Sequence, residues 1–113
     1  MSMIYHLARE AEWRASERLG LYEGTADDRR DGFLHFSTAA QVAESAARHR
    51  RGEADIVLVA ADADSLGAAL RWEPSRGGAL FPHLYGALPL ASVLWAKPLP
   101  LGADGLHRFP PLD

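Results

Sequence analysis

Cysteine is absent from this chain of 113 residues. Disulfides and thiolate metal ligands are therefore excluded, and the composition agrees with a cytoplasmic protein. No apolar run approaches the roughly 20 residues that a transmembrane helix needs, so no membrane partner is expected. The opening Met-Ser-Met-Ile-Tyr-His lacks the basic segment and apolar stretch of a secretory signal. A basic excess is missing as well: 12 Lys and Arg face 15 Asp and Glu, for a net charge of −3. Duplex nucleic acid is accordingly not an expected partner. The glycines form neither a phosphate loop nor a dinucleotide fingerprint. No His-x-His or His-x-x-x-His pair occurs, so no metal site is read from the spacing. No nucleophile elbow surrounds Ser37, and no motif specifies an oligomeric state.

What is present is ordinary for a globular protein: 48% hydrophobic and 24% charged residues. The length suits a single domain over residues 1–113, with a compact core at about 3–99. Four of the seven prolines lie from Pro98 onward, which predicts an extended, Pro-rich tail over 100–113. The basic cluster Arg48-His49-Arg50-Arg51 reads as a solvated helix end, where cations complement the helix dipole.

Periodicity supplies the elements. Met3 to Leu7 predicts a strand, and Arg9 to Leu19 a helix stopped by Gly20. Leu21 to Asp31 reads as an exposed polar loop. Phe33 to Phe36 predicts a second strand, with Phe33, His35 and Ser37 on one face and Leu34 and Phe36 on the other. Thr38 with Gln41 three residues on has the form of a capping box, opening a helix from Ala39 to about Arg51. Ile56 to Ala60 is apolar throughout and predicts a central strand buried on both faces, Val57 and Val59 on one side and Ile56 and Leu58 on the other. Asp64-Ser65 opens a helical turn, Leu70 to Glu73 is a strand ended by Pro74, and Ser75 to Gly78 a flexible loop. Leu80 to Pro89 is apolar and aromatic. Ser92 to Ala96 is the final strand. Two main helices among strands without βαβ alternation indicate an α+β fold.

Polar chemistry concentrates in three segments: Tyr5-His6-Leu7, Phe33-Leu34-His35-Phe36-Ser37-Thr38 and Phe81-Pro82-His83-Leu84-Tyr85-Gly86. An imidazole among buried aromatics needs a hydrogen-bond partner, and it titrates near neutrality. His6, His35 and His83 thus read either as one site or as separately satisfied core histidines. His49 and His107 read as surface residues. A helix N-terminus at Ser37-Thr38 offers backbone donors that suit phosphate. Glu73, between Trp72 and Pro74, is either a strand-end partner of Arg71 or Arg76, or a carboxylate that orients a ribose hydroxyl or stabilises a cationic transition state. Trp72, Trp95 and Tyr85 are core aromatics or a stacking surface for a planar ring.

In order, the segments Ile-Tyr-His, Gly-Phe-Leu-His-Phe-Ser-Thr, Asp-Ile-Val-Leu-Val, Phe-Pro-His-Leu-Tyr-Gly and Val-Leu-Trp-Ala resemble the bacterial domain of unknown function 952 family, from Met3 to Leu99. A more distant similarity is to the ADP-ribosyltransferase-like fold, although Leu7 stands where those relatives carry glycine. That similarity implies a mixed, split and curved sheet cradling NAD, ADP-ribose or another ribosyl-phosphate ligand. It also implies a cleft of His6, His35, Ser37, Thr38, His83 and Tyr85. His6 would hold the ribose, Ser37-Thr38 a polar ligand group, and Glu73 or His83 would assist at the reacting carbon. The alternative is a non-enzymatic binding or protein-interaction domain whose histidines organise the fold.

Overall fold

A computed structural model describes residues 2–112. The chain opens with strand β1 (Met3–Arg9) and helix α1 (Glu10–Leu19), which Gly20 ends in a left-handed conformation (φ 79°) as its sequence position predicts. A two-residue strand β2 (Leu21–Tyr22), helix α2 (Ala26–Asp31), the short strand β3 (Leu34–His35) and helix α3 (Val42–His49) follow. Strand β4 (Ile56–Asp62) leads into 3₁₀ turns over Ala63–Ala69. Then come β5 (Leu70–Pro74), β6 (Leu80–Leu84), β7 (Leu88–Pro89) and β8 (Val93–Pro98). No helix among the described residues is long and apolar enough to cross a membrane.

The strands form three small sheets, in the orders β1-β4-β8, β2-β7 and β3-β6-β5. β4 lies between β1 and β8, as its unbroken apolar sequence predicts. Val57, Val59 and Ala61 enter one core cluster with Trp13, Tyr22 and Phe36. Ile56, Leu58 and Ala60 enter a second with Tyr5 and Val42 on the opposite face. The alternating direction of β-strand side chains divides the six apolar residues between two interiors.

Four expectations are corrected here. The ADP-ribosyltransferase-like architecture is not what the chain forms. Its sheets are separate and open, and every strand pairing within them is antiparallel rather than mixed. Three α-helices, with 3₁₀ turns over Ala63–Ala69 that break at Gly67 (φ 63°), stand in place of two main helices. Leu21 to Asp31 is not an exposed loop: Tyr22 and Asp28 are buried, at 1% and 3% exposure. α2 escapes periodicity because Ala-Asp-Asp-Arg-Arg-Asp has no apolar face; Thr25 starts it with a reciprocal capping box to Asp28. The tail packs onto the second core cluster through Phe109 and Leu112, and Leu101 bridges to His107. His107, expected at the surface, is buried and donates from Nε2 to the Glu53 carbonyl at 2.7 Å.

Candidate functional site

The three histidine segments converge. The main chain of Tyr5 in β1 exchanges two 2.8 Å hydrogen bonds with that of Ser37 beyond β3, joining the first sheet to the third. Within the third sheet His35 of β3 lies opposite His83 of β6, with ring centroids 5.7 Å apart. His6, His35, Ser37 and His83 all line one cleft of about 270 Å³, also bordered by α2 and the end of α3. Thr38, Glu73 and Tyr85 are outside its lining.

His6 is satisfied internally. Its Nδ1 is 2.7 Å from the His35 carbonyl, which only accepts, so Nδ1 carries the proton. Nε2 then accepts from the Tyr22 hydroxyl at 2.7 Å. Burial holds this imidazole below its ordinary pKa, in the neutral form that both bonds require. Burial also raises the Tyr22 pKa, which keeps its hydroxyl a donor.

Asp28 is the centre of the second network. Its Oδ1 accepts from the His35 backbone N–H at 3.0 Å and from His35 Nδ1 at 2.5 Å. Its Oδ2 accepts from the backbone and hydroxyl of Thr25, at 2.8 and 3.1 Å. Burial alone would raise this carboxyl's pKa; the bond from His35 and the backbone donors outweigh it and hold the pKa well below the usual range. The approach needs Gly24, whose φ is 94°: a Cβ there would stand 2.8 Å from Asp28 Oδ2. Asp31, one turn further along α2, holds His35 Nε2 at 3.0 Å. The hydrogen bond that His35 donates to Asp28 is the main cause that raises the His35 pKa above its ordinary value.

A raised folded-state pKa implies stability that is complete below the unfolded value of 6.5 and fades as pH rises through the folded value. The stability gap between the parent and His35→Gln should therefore be wider at about pH 5.5 than at about pH 9, by urea unfolding. An equal gap at both would show that the Asp28–His35 pair contributes no charge-dependent stability.

His83 differs from both. Its Nδ1 donates to Glu73 Oε1 at 2.8 Å, and the Tyr85 hydroxyl donates to the same oxygen at 2.7 Å. The bond from His83 is the largest influence holding the Glu73 pKa below its ordinary value. Phe33 stacks on the imidazole at 4.1 Å, with 30° between the planes. Among the described residues no hydrogen bond reaches Nε2, and the residue lines the cleft. Glu73 thus takes His83 and Tyr85, not the arginines considered from sequence; Arg71 lies over the Tyr85 ring at 4.8 Å.

Ser37 and Thr38 do not form an open helix N-terminus. The Ser37 N–H is spent on Tyr5 and the Thr38 N–H on Gln41 Oε1 at 3.0 Å, while α3 begins only at Val42. Half of the expected capping box is therefore present, displaced from the helix proper. Trp95 packs on Tyr5, with centroids 6.0 Å apart, and Trp72 is exposed on β5. Sequence reasoning missed Asp28, Asp31, Tyr22, Arg50 and Arg76. The one sequence signal for Asp28 was Thr-x-x-Asp, the acidic form of a capping box. Among the described residues no three His, Asp or Glu side chains converge as a metal-holding group.

These features define a small antiparallel α+β protein whose sheets meet over a cleft of histidines and carboxylates. The chain belongs to the DUF952 family: the family described as Protein of unknown function (DUF952) matches residues 7–96, which bears out the motif resemblance. It is similar to protein CC0527 of Caulobacter crescentus, whose X-ray crystal structure has a TM-score of 0.91 at 46% identity and covers 95% of this chain and 94% of that one. The solution NMR structure of CC0527 gives a TM-score of 0.83 at 47% identity, covering 94% and 91%. No curated protein matches the chain.

Proposed function

We propose that this protein binds a small ribosyl-phosphate-sized ligand in the cleft and moves a proton on it through His83. The observation that carries the reading is the state of the His83 ring: Nδ1 held by Glu73, one face stacked on Phe33, and Nε2 without a hydrogen bond among the described residues. A carboxylate on Nδ1 orients an imidazole and sets its tautomer, leaving Nε2 to take or give a proton. Glu73 is then a positioning residue, with Tyr85 steadying its carboxylate. His6 and His35, each with both ring nitrogens engaged, have organising roles, which supports the structural alternative for those two residues. The cavity of about 270 Å³ lies just below the roughly 300–1,000 Å³ of ligand pockets. One ribosyl phosphate suits that size; an intact dinucleotide such as NAD, or ADP-ribose, would extend over the rim.

The test is a panel of ribose 5-phosphate, nucleoside monophosphates, ADP-ribose and NAD. Binding is read by thermal shift and by the His83 imidazole resonances, and conversion by phosphorus and proton NMR. A fitting ligand at a hundred times its Kd stabilises the fold by about 2.7 kcal/mol. His83→Gln should lower the rate of any conversion by about 10²–10⁴-fold with binding largely kept. Glu73→Gln should lower kcat less, with KM unchanged. If no member of the panel shifts melting or the His83 resonances, the reading is wrong.

A further inference from the structure

The lining of the cleft includes two arginines, Arg50 and Arg76, that the sequence does not mark as site residues. Arg48 of the basic cluster behaves as expected: it is exposed and pairs with Glu44 one turn earlier on α3. Arg50 does not. α3 ends at His49, and the chain turns the Arg50 side chain inward to 14% exposure, toward Asp27 of α2. Arg76 reaches the same cleft from the tip of the β5–β6 hairpin, where Gly77 and Gly78 have φ of 69° and 81°.

We infer that Arg50 and Arg76 form a seat for a phosphate monoester, completed by the hydroxyls of Ser37 and Ser45. The inference rests on the reading of the cleft as a ligand site and specifies which part of the ligand is recognised there. Arg76 Nη2 donates to Ser45 Oγ at 3.2 Å, and Ser45 Oγ lies 3.1 Å from Ser37 Oγ. Both serines are buried, and all four residues line the cavity. The Arg76 guanidinium also lies over the Phe81 ring at 5.0 Å, which fixes its plane.

Neither arginine is fully committed to its own carboxylates. Arg76 Nε is 3.5 Å from Glu44, Arg50 Nη2 is 3.6 Å from Asp27, and Arg50 Nε is 3.9 Å from Glu53 Oε1. The last pair is slack on both sides: Arg50 Nε and Glu53 Oε1 are each buried without a hydrogen bond. A guanidinium has five N–H donors in a planar fork, so both side chains keep donors for an anion, and phosphate oxygens match that fork. His49 also lines the cleft. Its pKa is lowered first by burial and then by Arg76, Arg50 and His35, so positive groups from three elements converge on one space. Asp27 and Asp31 on α2 also line the cleft, Asp27 at 3.6 Å from Arg50, and Asp28 is already occupied by His35. An anion in this cleft therefore belongs with Arg50 and Arg76.

Isothermal titration of the full chain with inorganic phosphate, ribose, ribose 5-phosphate and ADP-ribose tests this. Ribose 5-phosphate should bind at least about tenfold tighter than ribose. Arg76→Gln should weaken ribose 5-phosphate roughly 10- to 100-fold, the loss of charged hydrogen bonds, and leave ribose unchanged. Arg50→Gln should act in the same direction, and Arg48→Gln should change nothing. Arg76 is the deciding position because its exposed hairpin tip tolerates substitution; Arg50 is more buried. His83→Gln should keep the affinity for inorganic phosphate, which separates the seat from the proton-transfer reading. Equal binding of ribose and ribose 5-phosphate, or full affinity in Arg76→Gln, overturns the seat and leaves the cleft reading standing. Tighter binding of ADP-ribose than of ribose 5-phosphate overturns the choice of a monoester. If folded parent protein binds none of the four, both readings fall.

Discussion

Asp28→Ala should unfold about 2–4 kcal/mol more easily than the parent, the combined cost of orphaned buried donors and a lost helix cap. Asp28 is 3% exposed and its two oxygens accept four hydrogen bonds, two from Thr25 and two from His35. Alanine would leave the N–H groups of Thr25 and His35 without acceptors, and a buried orphan donor costs about 1–3 kcal/mol by itself. It would also remove the capping box that starts α2, and with it the wall of the cleft. Asp28→Asn keeps the shape and one acceptor oxygen, so it should recover part of the loss. Chemical denaturation of the three proteins at neutral pH gives the values. A loss under about 1 kcal/mol for alanine would mean that water replaces the carboxylate and that the network is not a stabilising hub.

Val57→Asp should leave no cooperatively folded protein. Val57 is 6% exposed on the central strand and packs in the main core cluster. An ionised carboxylate there has no partner, and the burial penalty is comparable to the whole stability of a domain, about 5–15 kcal/mol. Val57→Thr is the graded companion. It keeps the β-branched shape and adds one hydroxyl, for a loss of about 1–3 kcal/mol. Circular dichroism and thermal melting distinguish the outcomes. A soluble aspartate variant with a sharp transition would mean that β4 is not the strand around which both clusters condense.

β4 and the histidine cleft differ in how far the chain alone reveals them. Ile-Val-Leu-Val-Ala is legible as a central strand because its information is local: five consecutive apolar residues leave no polar face for solvent. The end of α1 at Gly20 is legible for the same reason, since the backbone there needs a left-handed φ. The family is legible from the His-Phe-Ser-Thr and Phe-Pro-His-Leu-Tyr segments, which the match over residues 7–96 bears out. Those segments do not carry the architecture. The order of strands along a chain is compatible with several sheet arrangements, and the ADP-ribosyltransferase-like one was excluded only by the antiparallel pairings and the additional helices.

The sequence by itself determined the α+β class, the doubly buried β4 and the three histidine segments, because each depends on near neighbours. The tertiary structure alone decided what those histidines do. His6, His35 and His83 look alike in sequence, each flanked by apolar or aromatic residues. Their roles diverge because Tyr22, Asp28 and Glu73 reach them from separate elements, over separations of 16, 7 and 10 residues. Hydrogen bonding and burial at that range depend on where sheets and helices meet. Composition has no record of that meeting point, which is why Arg50 reads as a solvated helix end and is instead folded against α2 beside the cleft.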